Sequence, residues 1–178
     1  MHEMVIYGVS FDLVGKQPIV LLKTADGNKF LPIWIGHPEA AAILMKLQGA
    51  STPRPMTHDL VTDMLGQLDA QVVRITVTEL KENTFYASIT VQQNGSEIEI
   101  DSRPSDAIAI AIRTEAPIFA DERVVEENAL EFEPDEGEDG IPGEPVSLTQ
   151  EQIEEVTSKF KSFLDDVTPE QFAEGDED

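Results

Sequence analysis

Three short polar clusters in this sequence contain residue types that could carry out acid–base or phosphate chemistry. "IGHPEA" lies where a predicted strand passes into a predicted helix, and "RPMTHD" and "DSRPSD" each precede a predicted helix. Junctions of this kind often carry function. A helix N-terminus has partial positive charge and unpaired N–H groups, so it favours acids and binds anions. The candidate residues are Glu39, Arg54, Thr57, His58, Asp59, Asp101, Arg103, Ser105 and Asp106.

Together these clusters supply the side chains of a metal-assisted phosphodiesterase site. Histidine is suited to proton transfer near neutral pH, arginine to binding phosphate, and carboxylates to holding Mg²⁺ or Mn²⁺. The predicted catalytic residues are His58, Asp59, Arg103 and Asp106. The predicted substrate contacts are Arg54, Thr57, Arg103 and Ser105. The predicted ligands of the divalent metal are Glu39, Asp101 and Asp106.

The same clusters also have a structural interpretation. Thr57 can cap one helix, with Asp59 in its first turn, and Asp106 can stabilise the start of another while pairing with Arg103. In that case the protein is a non-catalytic oligomeric interaction module, with Arg103 and Asp106 paired and buried. A metal-dependent nuclease requires at least three of the acids to meet in one metal site.

The elements that must position these residues begin with strands. Segments rich in Val, Ile, Leu and aromatic residues predict strands at 4–14, 18–24 and 29–36, with "ADGN" as a hairpin turn. Pro32 lacks a backbone donor, so the third strand is predicted to be bulged or at an edge. Alternating apolar and polar residues between positions 71 and 103 predict a three-stranded antiparallel meander.

Helices are predicted at 37–49 and from Thr57 to about Leu68. The period of "PSDAIAIAIR" is ambiguous, because its isoleucines alternate as in a strand while its alanines favour a helix. Its Pro-Ser-Asp start favours the helix. "APIFADERVVEENAL" adds a short strand and a last helix. The predicted fold is α/β of the α+β type, a mixed and largely antiparallel sheet with packed helices.

Charge divides the chain into a body and an acidic tail. The net charge is −23, of which residues 1–130 contribute −8 (ten Lys and Arg, eighteen Asp and Glu) and residues 131–178 contribute −15 (two and seventeen). We predict a domain at 1–130, an acidic flexible linker at 131–147 and, at 148–178, an amphipathic helix with a disordered tail. The helix, 149–164, has an apolar stripe that must dock on the body, another subunit or a protein partner. Its members are Ile153, Val156, Phe160, Phe163 and Leu164.

Composition excludes several classes of protein. The chain has no cysteine, which excludes disulfides, zinc–thiolate sites and thiol catalysis. The N-terminal residues lack the features of a secretion signal, and no run of about 20 apolar residues is present. We therefore expect a cytoplasmic protein with no membrane partner.

The runs "LPIWIGHPEAAAI", "RPMTHDL" and "IDSRPSDAIAIAIR" resemble the bifunctional nuclease family, in order and at plausible spacing. The resemblance covers roughly residues 1–130. It implies a compact α/β domain, usually a homo-oligomer, with DNase and RNase activity in some members. The positions that match the family's motifs are Glu39, Arg54, Thr57, His58, Asp59, Arg103, Ser105 and Asp106.

Residues and resemblance together predict a metal-dependent nuclease of low specificity that acts on DNA or RNA. His58 would be the general acid or base, and Arg54 and Arg103 would bind phosphate. The acidic tail suggests a further possibility, because a tethered negative charge could occupy these basic groups. A nuclease inhibited in this way would gain activity on truncation after Leu130.

Overall fold

The structure is a computed structural model, and it describes residues 1–11, 17–50 and 52–131. Their strands form one sheet in the spatial order β6-β5-β4-β7-β1-β2-β3-β8, in which only the β4–β7 pair is parallel. The strands are β1 (His2–Phe11), β2 (Pro18–Thr24), β3 (Lys29–Trp34), β4 (Ala70–Lys81), β5 (Thr84–Gln93), β6 (Ser96–Ser102), β7 (Ile118–Ala120) and β8 (Leu130–Glu131). The predicted mixed, largely antiparallel fold is confirmed.

Four helices lie in the described parts of the chain. They are α1 (His37–Leu47), α2 (Thr57–Gln67), α3 (Pro104–Thr114) and α4 (Glu122–Asn128). All four contribute to a single apolar core that also contains Leu22, Leu31 and Ile75 from the sheet. The sheet face that carries these three strand residues is called the inner face below, and the opposite face is called the outer face.

The ambiguous segment after "DSR" forms the helix α3. Its alanines and isoleucines are buried over most of their length, because α3 lies against α1, α2, β4 and β5. Burial on nearly all sides explains why the sequence shows no clean helical period. Pro104 occupies the first turn, where its missing N–H leaves no intrahelical bond unmade.

Pro32 lies at an edge, as its missing donor predicts. β8 pairs with β3 only at Lys29 and Phe30, so the far side of β3 is unpaired beyond that point among the described residues. On its near side Pro32 is in register with Leu21 of β2. The strand thus tolerates proline where no neighbouring strand needs a hydrogen bond.

Apolar side chains of the described residues are exposed at several places, Ile98 and Ile100 of β6 among them, and two of these surfaces belong to α2 and to the strands β1 to β3. One is formed by the side of α2 that carries Leu60, Met64 and Leu68, while Val61 and Leu65 of the same helix pack on the core. The other lies on the outer face of β1, β2 and β3. In the described parts of the chain, no helix is long and apolar enough to span a membrane.

The described residues end at Glu131. The linker predicted from residue 131 therefore lies outside them except for its first residue, and the tail predicted from residue 148, with its helix, lies wholly outside them. Glu131 itself forms the end of β8 and pairs with Lys29. The body of the protein therefore extends at least to Glu131.

Candidate active site

The first turns of α1, α2 and α3 meet at one cluster of charged side chains. Arg103, the residue directly before α3, bonds Glu39 in the first turn of α1. Asp106, in the first turn of α3, bonds His58 in the first turn of α2. Residues from all three polar clusters of the sequence are thus joined by direct side-chain contacts.

Arg103 is held by two carboxylates. Its Nε lies 2.7 Å from Oδ2 of Asp106, and its Nη2 lies 3.1 Å from Oδ1 of Asp106. The same Nη2 is 2.9 Å from Oε1 of Glu39. The hydrogen bond and charge of Asp106, followed by those of Glu39, raise the pKa of Arg103. The side chain is nevertheless 66% exposed, so the guanidinium can also contact a ligand from solvent.

His58 and Asp106 form a hydrogen-bonded pair at the edge of the core. Nε2 of His58 lies 3.0 Å from Oδ1 of Asp106, and the histidine side chain is only 13% exposed. Burial acts to raise the pKa of Asp106, but hydrogen bonds from Arg103 and His58 outweigh it, and the pKa is lowered. Asp106 is therefore a carboxylate at neutral pH. Nδ1 of His58 makes no hydrogen bond within the described parts of the chain.

A glycine allows Glu39 to reach Arg103. Gly36 precedes α1, and a Cβ built at this position would collide with the carboxylate of Glu39. The acid therefore folds back over the start of its own helix into space that only glycine leaves open. The contact between Glu39 and Arg103 therefore depends on the absence of a side chain at position 36.

Asp59, a predicted catalytic residue, pairs with Arg113 and not with the charged cluster. Its Oδ1 accepts a hydrogen bond of 2.6 Å from Nε of Arg113, and its Oδ2 accepts one of 2.9 Å from the backbone N–H of Met56. The bond from Met56 is the largest cause of the lowered pKa of Asp59, which Arg113 lowers further against the effect of burial. The prediction that Thr57 caps α2 is wrong, because Met56 occupies the cap position and the carboxylate of Asp59 accepts its N–H.

Arg113 is a residue that sequence reasoning missed. Its side chain is only 5% exposed, and besides Asp59 it donates to the carbonyl oxygens of Ala109 and Ala42. One guanidinium therefore ties α1, α2 and α3 together, about two turns from Asp106 along α3. The signal in the sequence was a positively charged residue at the end of a mostly apolar helix. Such a residue is usually explained as a favourable charge at a helix C-terminus.

The side chains of the remaining candidates make no hydrogen bond or ion pair with the charged cluster in the described part of the chain. Arg54 is exposed in the loop before α2, where its carbonyl accepts from Thr52. Thr57 is exposed as the first residue of α2, and Ser105 is buried as the second residue of α3. Their substrate contacts stay predictions.

Asp101 is not brought into the cluster. It lies on β6 in register with Ser88, one position from Ile100, which is in register with the core residue Ile89. Because successive residues of a strand point to opposite faces, Asp101 lies on the outer face, whereas all four described helices pack on the inner face. The structure thus brings Glu39 and Asp106 together around Arg103 without Asp101.

Comparisons with known proteins identify the family of this chain. A model of the bifunctional nuclease domain matches residues 20–133, which include every member of the cluster. The chain belongs to the bifunctional nuclease domain family. An uncharacterized protein of Mycobacterium tuberculosis is 38% identical over 172 residues, which are 97% of this chain and 98% of that protein. That similarity therefore extends beyond the family domain into the acidic tail.

Plant members of the bifunctional nuclease family match a shorter part of the chain. The protein named bifunctional nuclease 1 of Oryza sativa subsp. japonica is 30% identical over 115 residues, which are 62% of this chain and 35% of that protein. Bifunctional nuclease 1 of Arabidopsis thaliana is 30% identical over 105 residues, which are 57% of this chain and 32% of that protein. The family resemblance that the three sequence motifs indicate is confirmed.

The donor set of this bifunctional nuclease domain does not fit a metal held by the protein alone. The described residues contain no group of three or more His, Asp or Glu side chains placed to hold a metal ion. Glu39 and Asp106 are both bonded to Arg103, which occupies the place that a cation would take between them. The predicted Mg²⁺ or Mn²⁺ requirement thus stays a prediction.

Proposed function

We propose that this protein hydrolyses phosphodiester bonds of nucleic acids at the cluster formed by Glu39, His58, Arg103 and Asp106. The observation that carries the proposal is a histidine–carboxylate pair next to an exposed arginine. A histidine oriented by a carboxylate is a recurrent general base or acid, and an arginine is a recurrent phosphate ligand. Relatives named bifunctional nuclease support the choice of nucleic acid as substrate.

The proposed roles of His58 and Asp106 follow from which of their side-chain atoms already make hydrogen bonds. Asp106 accepts the proton of Nε2 of His58 in a hydrogen bond, which leaves Nδ1 as the basic atom. Nδ1 would take a proton from a water molecule as the water oxygen bonds to phosphorus and the bond from phosphorus to the leaving oxygen breaks. The leaving oxygen keeps the electron pair of that bond and takes a proton from solvent, and the imidazolium then returns its proton to solvent. The ionised Asp106 stabilises the imidazolium that forms. Water as nucleophile makes the reaction possible on both DNA and RNA, since no 2′-hydroxyl is needed.

Arg103 would hold the phosphate for this reaction. Its Nε and Nη2 are committed to Asp106 and Glu39, while most of the side chain faces solvent. The carboxylates fix its orientation before the substrate arrives, which lowers the entropic cost of binding. A contact to phosphate carries no sequence information, so it supports the proposed low specificity.

Metal dependence belongs to the same proposal. Mg²⁺ commonly uses one or two protein carboxylates together with phosphate oxygens of the substrate. The pair Glu39 and Asp106 supplies two carboxylates at the place where Arg103 would bring the phosphate. The cytoplasmic location, the homo-oligomer and a protein partner for segment 149–164 stay predictions.

One observation favours the alternative, a non-catalytic interaction module. Arg103 and Asp106 are paired, as that interpretation requires, and Asp59 serves a structural purpose with Arg113. The second requirement of the alternative was burial of the Arg103–Asp106 pair. Arg103 is mostly exposed, so the alternative lacks this requirement, just as the metal-dependent nuclease lacks its group of three acids in the described residues. The exposed arginine beside the histidine–carboxylate pair supports the proposed catalytic function.

The deciding experiment measures cleavage of single-stranded DNA and RNA by the full chain beside His58→Gln. Glutamine can still hydrogen-bond Asp106 but cannot take up a proton, so we expect a loss of roughly 10²- to 10⁴-fold in rate. His2→Gln, a change of the same type on the distant strand β1, serves as the matched control. Equal activity in all three proteins would place the chemistry elsewhere, and no activity in any of them would favour the interaction module.

A further inference from the structure

The outer face of β1, β2 and β3 is apolar and aromatic. In the antiparallel registers Ile19 faces Trp34, Leu21 faces Pro32, and Lys23 faces both Phe30 and Val5. Directly paired residues lie on the same face of a sheet. Within this surface Ile19 and Leu21 are buried, and the residues packed against them are Tyr7, Phe30 and Leu130.

Part of this surface is open to solvent. Val5 is 46% exposed and Trp34 is 39% exposed, and all four described helices pack on the inner face. The surface formed by Val5, Tyr7, Phe30 and Trp34 is called the aromatic face below. Exposed apolar surfaces of this kind usually mark a binding site.

We propose that segment 149–164 of the same chain docks as a helix on the aromatic face. The position of the chain at Glu131 supports this choice. β8 pairs with the edge of β3, and its Leu130 is in register with Phe30 and packs on Ile19 and Leu21. Glu131, the last described residue, therefore lies beside the aromatic face.

The sequence of the segment matches this surface. Its apolar residues recur at helical spacing, and two of them are phenylalanines suited to contacts with Tyr7, Phe30 and Trp34. Lys23 lies on the aromatic face, with its Nζ 5.8 Å from the ring centroid of Phe30. It would meet a carboxylate beside the stripe, such as Glu154 or Glu155.

Distance favours the aromatic face over the exposed side of α2. A Gly-rich flexible chain of the length of 132–148 has a mean end-to-end distance of roughly 20–25 Å, and the acidic residues of this segment would extend it further. β3, β2 and β1 are adjacent, so the aromatic face is about 10 Å wide from β3 to β1. The exposed side of α2 lies towards β5, where Gln93 donates to the carbonyl of Leu68, several strands away from β8.

Docking there would also separate the tail from the proposed active site. The aromatic face is on the outer side of the sheet, and the cluster around Arg103 is built by helices on the inner side. A docked segment keeps its own carboxylates away from Arg103. Removing residues 132–178 would then leave nucleic-acid cleavage no higher than in the full chain, in contrast to a tail that blocks the site.

The single tryptophan of the chain reports on this contact. Trp34 is the only Trp in the sequence, and it lies on the aromatic face. In the full chain, Phe160→Asp with Phe163→Asp should move its emission to longer wavelength and increase quenching by acrylamide. The control is Ser158→Asp with Ser162→Asp, which adds the same charge on the opposite side of the predicted helix and should change neither value. An unchanged spectrum in the phenylalanine variant would overturn the proposal.

Cross-linking shows which surface segment 149–164 contacts. It also shows whether that surface belongs to the same chain or to a second copy of the protein. The chain has no cysteine, so pairs can be introduced cleanly, beginning with Val5→Cys and Phe160→Cys in the full chain. We expect a disulfide at the mass of one chain, and none when Ser158→Cys replaces Phe160→Cys. A disulfide at twice that mass, or one formed instead with Leu60→Cys on α2, would overturn docking on the aromatic face of the same chain. The absence of any disulfide would also overturn it.

Discussion

Nε2 of His58 lies 3.0 Å from Oδ1 of Asp106, although the two residues are 48 positions apart. Helices α2 and α3 present the pair from their first turns, and Arg103 holds the second oxygen of the same carboxylate. Asp106 therefore orients two side chains at once. A base and a phosphate ligand that share one carboxylate keep a fixed distance from each other.

The first prediction concerns this shared carboxylate. Asp106→Asn removes the charge that stabilises an imidazolium and can reverse the hydrogen bond to His58, so we expect the cleavage rate to fall roughly 10²- to 10⁴-fold. The matched control is Asp101→Asn, because Asp101 lies on the outer face of β6. Its activity should be that of the unmodified protein. A comparable loss in both variants would instead support Asp101 as a ligand of the same site.

The second prediction uses the glycine before α1. Gly36→Ala should displace the carboxylate of Glu39 from Arg103, since the new methyl group would occupy its place. Because Arg103 then loses one of its two anchors, we expect KM for nucleic acid to rise more than kcat falls. Gly66→Ala in α2 is the control, because a Cβ there meets no atom within 4 Å. That variant should match or exceed the parent in stability, and an equal KM in both variants would contradict the role of Gly36.

The third prediction separates structure from catalysis at α2. Asp59→Asn leaves the buried guanidinium of Arg113 without its carboxylate. We expect the free energy of unfolding to fall by about 2–4 kcal/mol, less than for a fully buried pair because Asp59 is partly exposed. Urea denaturation of this variant beside Asp63→Asn, an exposed acid one turn along α2, gives the comparison. Equal midpoints would show that Arg113 does not depend on Asp59.

Most elements of the fold could be predicted from sequence because their patterns are local. β2 was predicted at 18–24 and forms there, and the start of α1 follows from Pro38 near its first turn. The site required more than local patterns. Three clusters of polar residues could be recognised, but nothing in their spacing states that Glu39 and Asp106 share Arg103.

Asp101 and Arg113 show why the remainder could not be predicted. Asp101 is only five positions from Asp106, yet a strand and a helix place the two on opposite sides of the sheet. Arg113 is distant from every motif, and its partners Ala42 and Asp59 come from other helices. The face of the sheet on which a residue lies, and the distant residue with which it pairs, are set by tertiary packing. A single sequence does not show that packing.

The fourth prediction concerns acid stability. The pKa of Asp59 and of Asp106 is lowered in the folded protein, so each carboxylate stabilises the fold fully above the unfolded-state pKa of about 3.9. This contribution is lost as pH falls below that value and through the folded pKa. The urea midpoint should therefore decline with acidification below about pH 4–5. The double variant Asp59→Asn with Asp106→Asn should show a shallower decline than Asp63→Asn, and parallel curves would contradict the assignment.

The last prediction concerns the order in which metal and nucleic acid bind. In the described residues no three acids or histidines are placed to hold an ion, and Arg103 lies between Glu39 and Asp106. We therefore expect calorimetry of the protein alone to show no tight Mn²⁺ binding, while cleavage is abolished by chelator and restored by Mg²⁺ or Mn²⁺. Phosphate oxygens of the substrate would complete the ligand set. If Arg103 brings in the phosphate, Arg103→Lys should raise the Mg²⁺ concentration needed for cleavage. The reason is that the ammonium group of lysine cannot bridge both carboxylates in the same way. Stoichiometric Mn²⁺ binding without nucleic acid would show instead that the acids form a metal site by themselves.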